Sequence, residues 1–277
     1  MSTPPERPAV RVTIAQLEVS ADHGTNREIV GDAFKLAAGR RSDLLVLPEY
    51  ASGFDPRGVG PEHAEPLSGQ FVTMLRERAA KTGVAVLAGT TLPGPDPQHG
   101  VNAVVAVDGS GELVGLYRKV HLYDAFGQRE SDRLTAGPAD APPLVLEVGG
   151  LSFGVMTCYD LRFPESARRL VDAGAQVIVV PAAWADGELK AMHWRALAVA
   201  RAIENTATVV GVGQAGRGVV GRSLVVGPDG VVGLEFDDQP TVRTVDIDGE
   251  AMLSVRRQNP SLANRRYTVV PVDQAGA

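Results

Sequence analysis

The sequence predicts an α/β fold made of two similar halves, each with a β-sheet that is covered by helices. Short apolar runs rich in β-branched residues alternate with segments whose apolar residues recur at helical spacing. The order β-α-β-α followed by β-hairpins occurs twice, and no linker or low-complexity stretch separates the two halves. We therefore predict one domain over residues 1–277.

The first half begins with a strand, a helix and a second strand. The segment "VRVTIAQLEV" (10–19) predicts the first strand. A helix should begin near Thr25, because Thr25 and Glu28 have the spacing of a capping box. The buried strand "DLLVLPE" (43–49) follows and is stopped by Pro48, whose ring removes a backbone donor. The apolar stripe of the helix consists of Ile29, Ala33, Leu36 and Ala37.

One helix and three strands complete the first half. The helix is predicted over 68–83, and Gly83 is a suitable residue to end it. Strands are predicted over 84–92, 101–109 and 112–120, and the last two form a hairpin across "DGSG". The apolar face of the helix carries Phe71, Leu75 and Ala79.

The second half repeats this order. A strand over 151–158 is followed by a helix over 164–173, a strand over 176–181 and a helix over 192–204. The sequence "GPDG" (227–230) is a hairpin turn. The remaining predicted elements are strands near 207–213, 219–227, 231–236 and 241–247, and a short helix near 249–257.

Composition restricts the partners and the compartment. The net charge is −6, and the basic pairs are scattered, so the concentrated basic surface of a nucleic-acid-binding protein is not expected. The chain has no apolar run near the roughly 18 residues that a membrane span needs, and its first ten residues contain no apolar signal region. We predict no membrane partner and a cytoplasmic location.

The cysteine and histidine content argues against disulfides and metals. A single cysteine, Cys158, excludes an intramolecular disulfide and a cysteine-based zinc cluster, and it is typical of a reducing compartment. The five histidines have no metal-ligand spacing. We therefore predict neither a metal nor another cofactor.

Three predicted strands end in residues that fit poorly into an apolar core. Glu49 ends "LLVLPE", Lys119 ends "LVGLYRK" and Cys158 ends "FGVMTC". If strands of one sheet deliver these groups to the same edge, the carboxylate can deprotonate the thiol while the ammonium stabilises a thiolate or an oxyanion. Taken alone, each residue is more commonly structural, because a lone cysteine is usually a small buried hydrophobe and the charged residues are usually at the surface.

Several segments resemble the signature segments of the nitrilase, or carbon-nitrogen hydrolase, superfamily. They occur in the family's order over about residues 10–267, which we take as the core of the domain. The resemblance implies a four-layer α-β-β-α sandwich that assembles through helices into a homodimer or a higher homo-oligomer. The matching segments are "LLVLPEYASGF", "YRKVHLYD", "ESDRLTAG", "GVMTCYDLRFPE" and "HWRALAVARAIEN".

The resemblance also implies roles for individual residues. Glu49 corresponds to the general base, Lys119 to the group that holds the oxyanion, and Cys158 to the nucleophile. Glu130 falls on a second glutamate of the family, which positions Lys119 and the substrate. The backbone N–H of Tyr159 is expected to join Lys119 as an oxyanion donor.

The segment "CYDLRFPE" is similar to the amidase branch that includes omega-amidase and deaminated-glutathione amidase. In that branch the matching arginine, Arg162, binds a substrate carboxylate, and its planar fork suits that contact. Arg162 can instead form a structural pair with Asp160 or Glu165, and the sequence leaves both interpretations open. The segment "ADGELKAMHW" (185–194) lacks the threonine of the branch's "TGP" stretch, so the substrate's identity stays open.

Four aromatic residues adjoin the matching segments and are candidates for the substrate pocket. Trp184 is expected to form a wall of the acyl pocket, with core packing as the alternative. Tyr50, Phe54 and Tyr123 are expected to line the same pocket.

Together these observations predict an enzyme that hydrolyses the C–N bond of an amide of a small carboxylic acid. A thioester on Cys158 would be the intermediate, ammonia or an amine would leave, and the expected partner is a small-molecule amide. Three alternatives stay open: a hydrolase of N-carbamoyl amino acids, a Cys-His enzyme that uses His121, and a non-enzymatic binding module with the same fold.

Overall fold

A computed structural model describes residues 9–272, and in this part of the chain two six-stranded sheets lie between layers of helices. Short 3-10 helices span Pro61–His63, Glu130–Asp132 and Cys158–Arg162. The strands are β1 (Ala9–Gln16), β2 (Leu44–Val46), β3 (Ala85–Pro93), β4 (Gly100–Val107), β5 (Leu113–Arg118), β6 (Val145–Val148), β7 (Leu151–Val155), β8 (Val177–Ala182), β9 (Thr208–Gly213), β10 (Leu224–Val226), β11 (Val232–Glu235) and β12 (Thr241–Asp248). The α-helices are α1 (His23–Gly39), α2 (Gln70–Thr82), α3 (Pro164–Asp172), α4 (Lys190–Asn205) and α5 (Gly249–Gln258).

The two sheets have corresponding topologies. The first has the order β12-β1-β2-β3-β4-β5 and the second β11-β10-β9-β8-β7-β6. In each sheet three parallel strands, β1-β2-β3 or β7-β8-β9, continue into two antiparallel strands that form hairpins. An antiparallel strand, β12 or β6, lies on the other side of the first parallel strand. The predicted repeat of the β-α-β-α-hairpin order is therefore confirmed.

Alternating side chains of the strands form the layers. In β2, Leu44 and Val46 belong to the apolar cluster between the two sheets, whereas Leu45 belongs to the cluster between the first sheet and helices α1 and α2. This alternation follows from the two-residue period of a strand. Phe153 packs between the sheets, and Trp194 of α4 packs between the second sheet and its helices. The predicted four-layer α-β-β-α sandwich is confirmed.

Several predicted boundaries differ from the structure. Asp22, not Thr25, caps α1: its Oδ1 accepts a hydrogen bond from Thr25 N at 2.6 Å, and the helix begins at His23. The strand predicted over 219–227 is reduced to β10, because Gly221 and Arg222 have φ values of 64° and 57° that no strand accommodates.

Strand β6 was not predicted, because it is short and directly follows "PPL". The confirmed elements include α2, whose end at Gly83 adopts a left-handed conformation with φ 75°. None of the helices formed by residues 9–272 combines the length and the apolar character needed to cross a bilayer.

Candidate active site

Glu49, Lys119 and Cys158 meet at one end of the two stacked sheets. Glu49 follows β2, Lys119 follows β5 and Cys158 follows β7. The expectation that strands of one sheet deliver all three was wrong, because β7 belongs to the second sheet. The three side chains line one cavity of about 360 Å³. The site is therefore assembled from both halves of the fold.

The backbone at Cys158 has an unusual conformation. Its φ is 47°, in the left-handed region that residues with a Cβ seldom adopt, and Cys158 begins the 3-10 helix Cys158–Arg162. Such a conformation costs roughly 1–3 kcal/mol and persists only where the surrounding structure fixes it. The turn directs a thiol that is only 7% exposed towards the cavity, as the sequence led us to expect of this strand end.

Asp160 holds this turn in place. Its fully buried carboxylate accepts hydrogen bonds from Thr157 N at 2.9 Å, Tyr117 Oη at 2.6 Å and His121 Nδ1 at 2.7 Å. Sequence reasoning considered Asp160 only as a partner for Arg162 and missed this role. The T-x-x-D spacing of Thr157 and Asp160, which is that of a capping box, is the signal that could have revealed it.

Glu49 is fixed by groups from both sheets. Its Oε1 accepts hydrogen bonds from Lys119 Nζ at 2.9 Å and from Asn102 Nδ2 at 2.7 Å. Its Oε2 accepts the Ala183 N–H at 2.7 Å, beyond the end of β8. The carboxylate, 1% exposed, is thus held in one orientation in the cavity that the Cys158 thiol also lines.

Lys119 lies between two carboxylates. Its ammonium is 2.9 Å from Glu49 Oε1 and 2.9 Å from Glu130 Oε2, and the residue is 2% exposed. Burial lowers the pKa of Lys119, but the charges of Glu130 and Glu49 outweigh that effect and raise it well above its usual value. The Lys119 ammonium is therefore a permanent positive charge in the site.

Glu130 is held by hydrogen bonds from two residues besides Lys119. Its carboxylate accepts hydrogen bonds from Tyr50 Oη and, at 2.6 Å, from Tyr123 N. Burial and the nearby charges of Glu130 and Glu49 raise the pKa of the Tyr50 hydroxyl, so it remains a donor. Glu130 thus connects the position of Lys119 to two of the predicted pocket residues.

The surroundings of Cys158 stabilise the protonated thiol. Burial and the negative charge of Glu49 raise its pKa well above the usual value, and the positive charge of Lys119 only partly opposes them. The surroundings of Cys158 therefore favour a neutral thiol over a preformed thiolate, and the Glu49 carboxylate lines the same cavity.

The cavity is lined by most, but not all, of the predicted substrate contacts. Arg162 is not among the described residues that line the cavity. Its guanidinium instead packs over the ring of Trp184, 4.9 Å from the centroid, and its Nη2 lies 3.4 Å from His193 Nδ1. Neither Asp160 nor Glu165 is its hydrogen-bond partner within residues 9–272. The predicted contacts that do line the cavity are Tyr50, Phe54, Tyr123, Tyr159 and Trp184.

Lys190 lines the cavity and was missed by the sequence reasoning. It is the first residue of α4 and is 6% exposed, and its Nζ donates to Tyr123 Oη at 2.5 Å. The preceding Leu189 has φ 61° and is 57% exposed. The apolar residue thus faces solvent while the charged one is buried. The hydrophobic pattern of the sequence predicts the opposite, so it could not reveal Lys190 as a residue of the cavity.

His121 does not form a dyad with the cysteine. Its Nδ1 forms a hydrogen bond with the Asp160 carboxylate, and its ring stacks on Phe163 with 3.7 Å between the centroids. His121 lines a separate cavity of about 560 Å³, next to the chain segment 269–272. Within residues 9–272 no group of three or more histidine, cysteine or acidic side chains is arranged to hold a metal ion.

Comparison with known proteins identifies the family of the chain. The carbon-nitrogen hydrolase family model matches residues 11–257. The deaminated glutathione amidase of Escherichia coli O157:H7 is 36% identical over 258 residues, which cover 92% of this chain and 97% of that protein. Among solved structures, a CN-hydrolase superfamily protein from Xanthomonas campestris with an arsenic adduct in its active site has a TM-score of 0.82 at 27% identity, covering 95% of this chain and 99% of that one.

A second solved structure is of a variant amidase from Nesterenkonia sp. AN1. In it the acetamide moiety of fluoroacetamide is covalently added at the active-site cysteine. Its TM-score is 0.75 at 29% identity, and the match covers 95% of this chain and 99% of that one. The chain belongs to the carbon-nitrogen hydrolase family, as its motifs predicted.

Proposed function

We propose that this amidase hydrolyses an amide of a small carboxylic acid, with Cys158 as nucleophile and ammonia or an amine as the leaving group. The observation that carries the proposal is the meeting of a buried thiol, a buried carboxylate and a buried ammonium in one cavity. The Escherichia coli relative is named an amidase, and the cysteine of the Nesterenkonia amidase carries a covalent adduct, which supports the same chemistry here.

In the first step Cys158 Sγ attacks the amide carbon while Glu49 takes the thiol proton. A C–S bond forms, and the carbonyl electron pair moves onto the oxygen. Lys119 Nζ and the Tyr159 N–H stabilise this oxyanion. The Tyr159 N–H is suited to the task, because the first N–H groups of a helical turn have no partner within it.

In the second step the C–N bond breaks, and the leaving nitrogen takes the proton held by Glu49. The product is a thioester on Cys158 and a free amine or ammonia. Glu49 then removes a proton from water, which attacks the thioester, and the C–S bond breaks as the sulfur regains a proton. The carboxylic acid leaves, and the site returns to its starting protonation state.

Glu130 has a positioning role in this scheme. It accepts hydrogen bonds from Lys119, Tyr50 and Tyr123 N, so it fixes the ammonium against the site of the oxyanion. A charge held in place before the reaction needs no reorganisation as the oxyanion forms. We assign the walls of the acyl pocket to Tyr50, Phe54, Tyr123 and Trp184, which line the cavity.

Release of ammonia, or of cysteinylglycine in the case of deaminated glutathione, from a panel of compounds tests the proposal. The panel comprises monoamides of dicarboxylic acids, deaminated glutathione, an aliphatic amide, an N-carbamoyl amino acid and a nitrile, each with wild type and Cys158→Ala. We expect release from amides by wild type only. Release confined to the N-carbamoyl amino acid would favour the carbamoyl alternative, and undiminished release by Cys158→Ala would overturn the mechanism.

Silence across the panel is resolved by labelling with iodoacetamide. Because Cys158 is the only cysteine, intact mass reports its alkylation directly. An alkylated thiol without any amide turnover contradicts the proposed substrate class, and a thiol that stays unreactive even at pH 9 favours the non-enzymatic module. Circular dichroism of Cys158→Ala establishes that a loss of activity is not a loss of fold.

We also propose that the protein forms a homodimer or a higher homo-oligomer and acts in the cytoplasm. Exposed apolar side chains on α4 and in the C-terminal segment, including Ile203, Tyr267 and Val270, support the first proposal. A lone, unpaired cysteine supports the second. Light scattering coupled to size exclusion tests the assembly, and a mass of one chain, 29.1 kDa, would contradict it.

A further inference from the structure

Lys190 differs from the other cations that line the active-site cavity. Each of the others has a carboxylate partner: Lys119 has Glu49 and Glu130, Arg57 has Asp55, Arg129 has Asp132, and Arg133 has Glu62. Within residues 9–272 no carboxylate lies within ion-pair distance of Lys190, although the residue is 6% exposed. Buried charges in proteins are normally paired, so Lys190 is suited to a counter-ion that a bound ligand supplies.

The surroundings of the Lys190 ammonium favour an anionic ligand. Its Nζ donates to the neutral hydroxyl of Tyr123 and lies 3.6 Å from the ring centroid of Phe126, which leaves further N–H donors for a ligand. Burial and the charge of Arg162 lower the pKa of Lys190, as expected for a cation that lacks a counter-ion. Asp186 is the acidic lining residue nearest to Lys190 in sequence, and it is solvent-exposed.

The backbone just before Lys190 adopts an unfavourable conformation, which places Lys190 in the cavity. Leu189 adopts a left-handed φ of 61°, which costs roughly 1–3 kcal/mol for a residue with a Cβ. The indole N–H of Trp184 donates to the Lys190 carbonyl at 3.0 Å and fixes the start of α4. Local arrangements that break both the hydrophobic pattern and the backbone preference are expected at functional sites.

We propose that Lys190, rather than Arg162, binds a carboxylate on the acyl part of the substrate and thereby makes the enzyme selective for anionic amides. This inference rests on the amidase function proposed above. Lys190 and the Cys158 thiol line the same cavity, so one molecule can place its amide at the thiol and its carboxylate at the ammonium. Arg162 lies outside that lining and packs on Trp184 and Phe126.

The test compares charged and uncharged substrates of equal length. The monoamides of succinic, glutaric and adipic acid are measured against the unbranched aliphatic amides with the same number of carbons. Lys190→Met removes the charge and retains the apolar stem that packs on the aromatic rings. For the best charged substrate we expect KM to rise about 10- to 100-fold, the range of a hydrogen bond to a charged group. We expect kcat to stay within about threefold and the uncharged amides to be unaffected.

Two further variants locate the effect. Arg162→Met should retain the preference for charged over uncharged substrate, and Lys35→Met, an exposed lysine on α1, should leave all constants unchanged. An equal loss on charged and uncharged amides in Lys190→Met would overturn the proposal, as would loss of the preference in Arg162→Met alone. Wild type without any preference for charged amides would overturn it too.

A second readout remains if no amide is turned over. Succinate, glutarate and adipate are tested as protectants of Cys158 against iodoacetamide. Protection of wild type that is lost in Lys190→Met would support the anion site even if the proposed hydrolytic function failed. Equal protection, or none, in both proteins contradicts the anion site. Melting temperatures of both proteins establish that the variant is folded.

Discussion

Glu49 and Lys119 form a buried ion pair, with 2.9 Å between Oε1 and Nζ, and they come from different strands of the first sheet. The other oxygen of Glu49 accepts the Ala183 N–H from the second sheet. The proposed base is therefore fixed by both sheets, in the cavity that the only thiol of the chain also lines.

Glu49→Gln should retain the fold and lose activity. The amide oxygen can replace Oε1 and still accept from Asn102, although the amide NH2 cannot accept the Ala183 N–H, and Lys119 keeps Glu130 as a partner. Without a base, kcat should fall by about 10²- to 10⁴-fold, the usual contribution of general acid-base catalysis. Steady-state ammonia release measures this, and a loss smaller than tenfold would contradict the assigned role.

Alkylation of Cys158 should report a raised thiol pKa. The rate with iodoacetamide in wild type should still be increasing at pH 9, because burial and Glu49 raise the pKa above its usual value. Glu49→Gln removes one of the charges that raise it, so its rate profile should shift to lower pH. Intact mass spectrometry over a pH series measures both profiles. A plateau of the wild-type rate near neutral pH would show that the thiol is already ionised.

Gly89→Ala should displace the backbone that carries Glu49 and thereby lower both stability and kcat. A Cβ on Gly89 of β3 would lie 2.4 Å from Glu49 Cα and 2.5 Å from the Pro48 carbonyl oxygen, so the backbone that carries Glu49 has to move. Such overpacking typically costs about 1–3 kcal/mol of stability. Gly233→Ala in β11 is the matched control, because nothing lies within 4 Å of its Cβ. Thermal unfolding and kcat should change in the first variant only, and equal behaviour of the two would contradict the assignment.

Protonation of His63 should destabilise the fold. Its buried ring lies 3.2 Å from His23 Nε2, and burial, with the charge of His23, lowers the pKa of His63 below its usual 6.5. Below about pH 6.5 the unfolded chain therefore binds this proton more readily than the folded one, so stability falls as the pH decreases. Urea unfolding at pH 5, 6 and 7 measures the slope, and it should be shallower in His63→Gln. An unchanged slope would assign the pH dependence to other groups.

The sequence predicted most of the elements and the three central side chains for a physical reason. Strand ends are recognisable locally, and Glu49, Lys119 and Cys158 each end an apolar run. Glu130 lies in an irregular region with no strand to mark it, so only the resemblance to a family pointed to it.

The parts that were missed depend on tertiary contacts. Cys158 belongs to the second sheet and Glu49 to the first, and no local pattern predicts which strands share a sheet. Asp160 acts through side chains of Tyr117 and His121 from another segment. Lys190 is buried by a backbone turn at Leu189 that contradicts the hydrophobic pattern.

The pairing of the first strand with the last has a consequence for synthesis of the protein. Ala9 of β1 is in register with Asp248 of β12, and Gln16 with Thr241. While the ribosome is still making the middle of the chain, the edge of β1 has no antiparallel neighbour and can pair with strands of other nascent chains. The first half therefore cannot complete its sheet as it emerges, and native burial of β1 waits for almost the entire polypeptide.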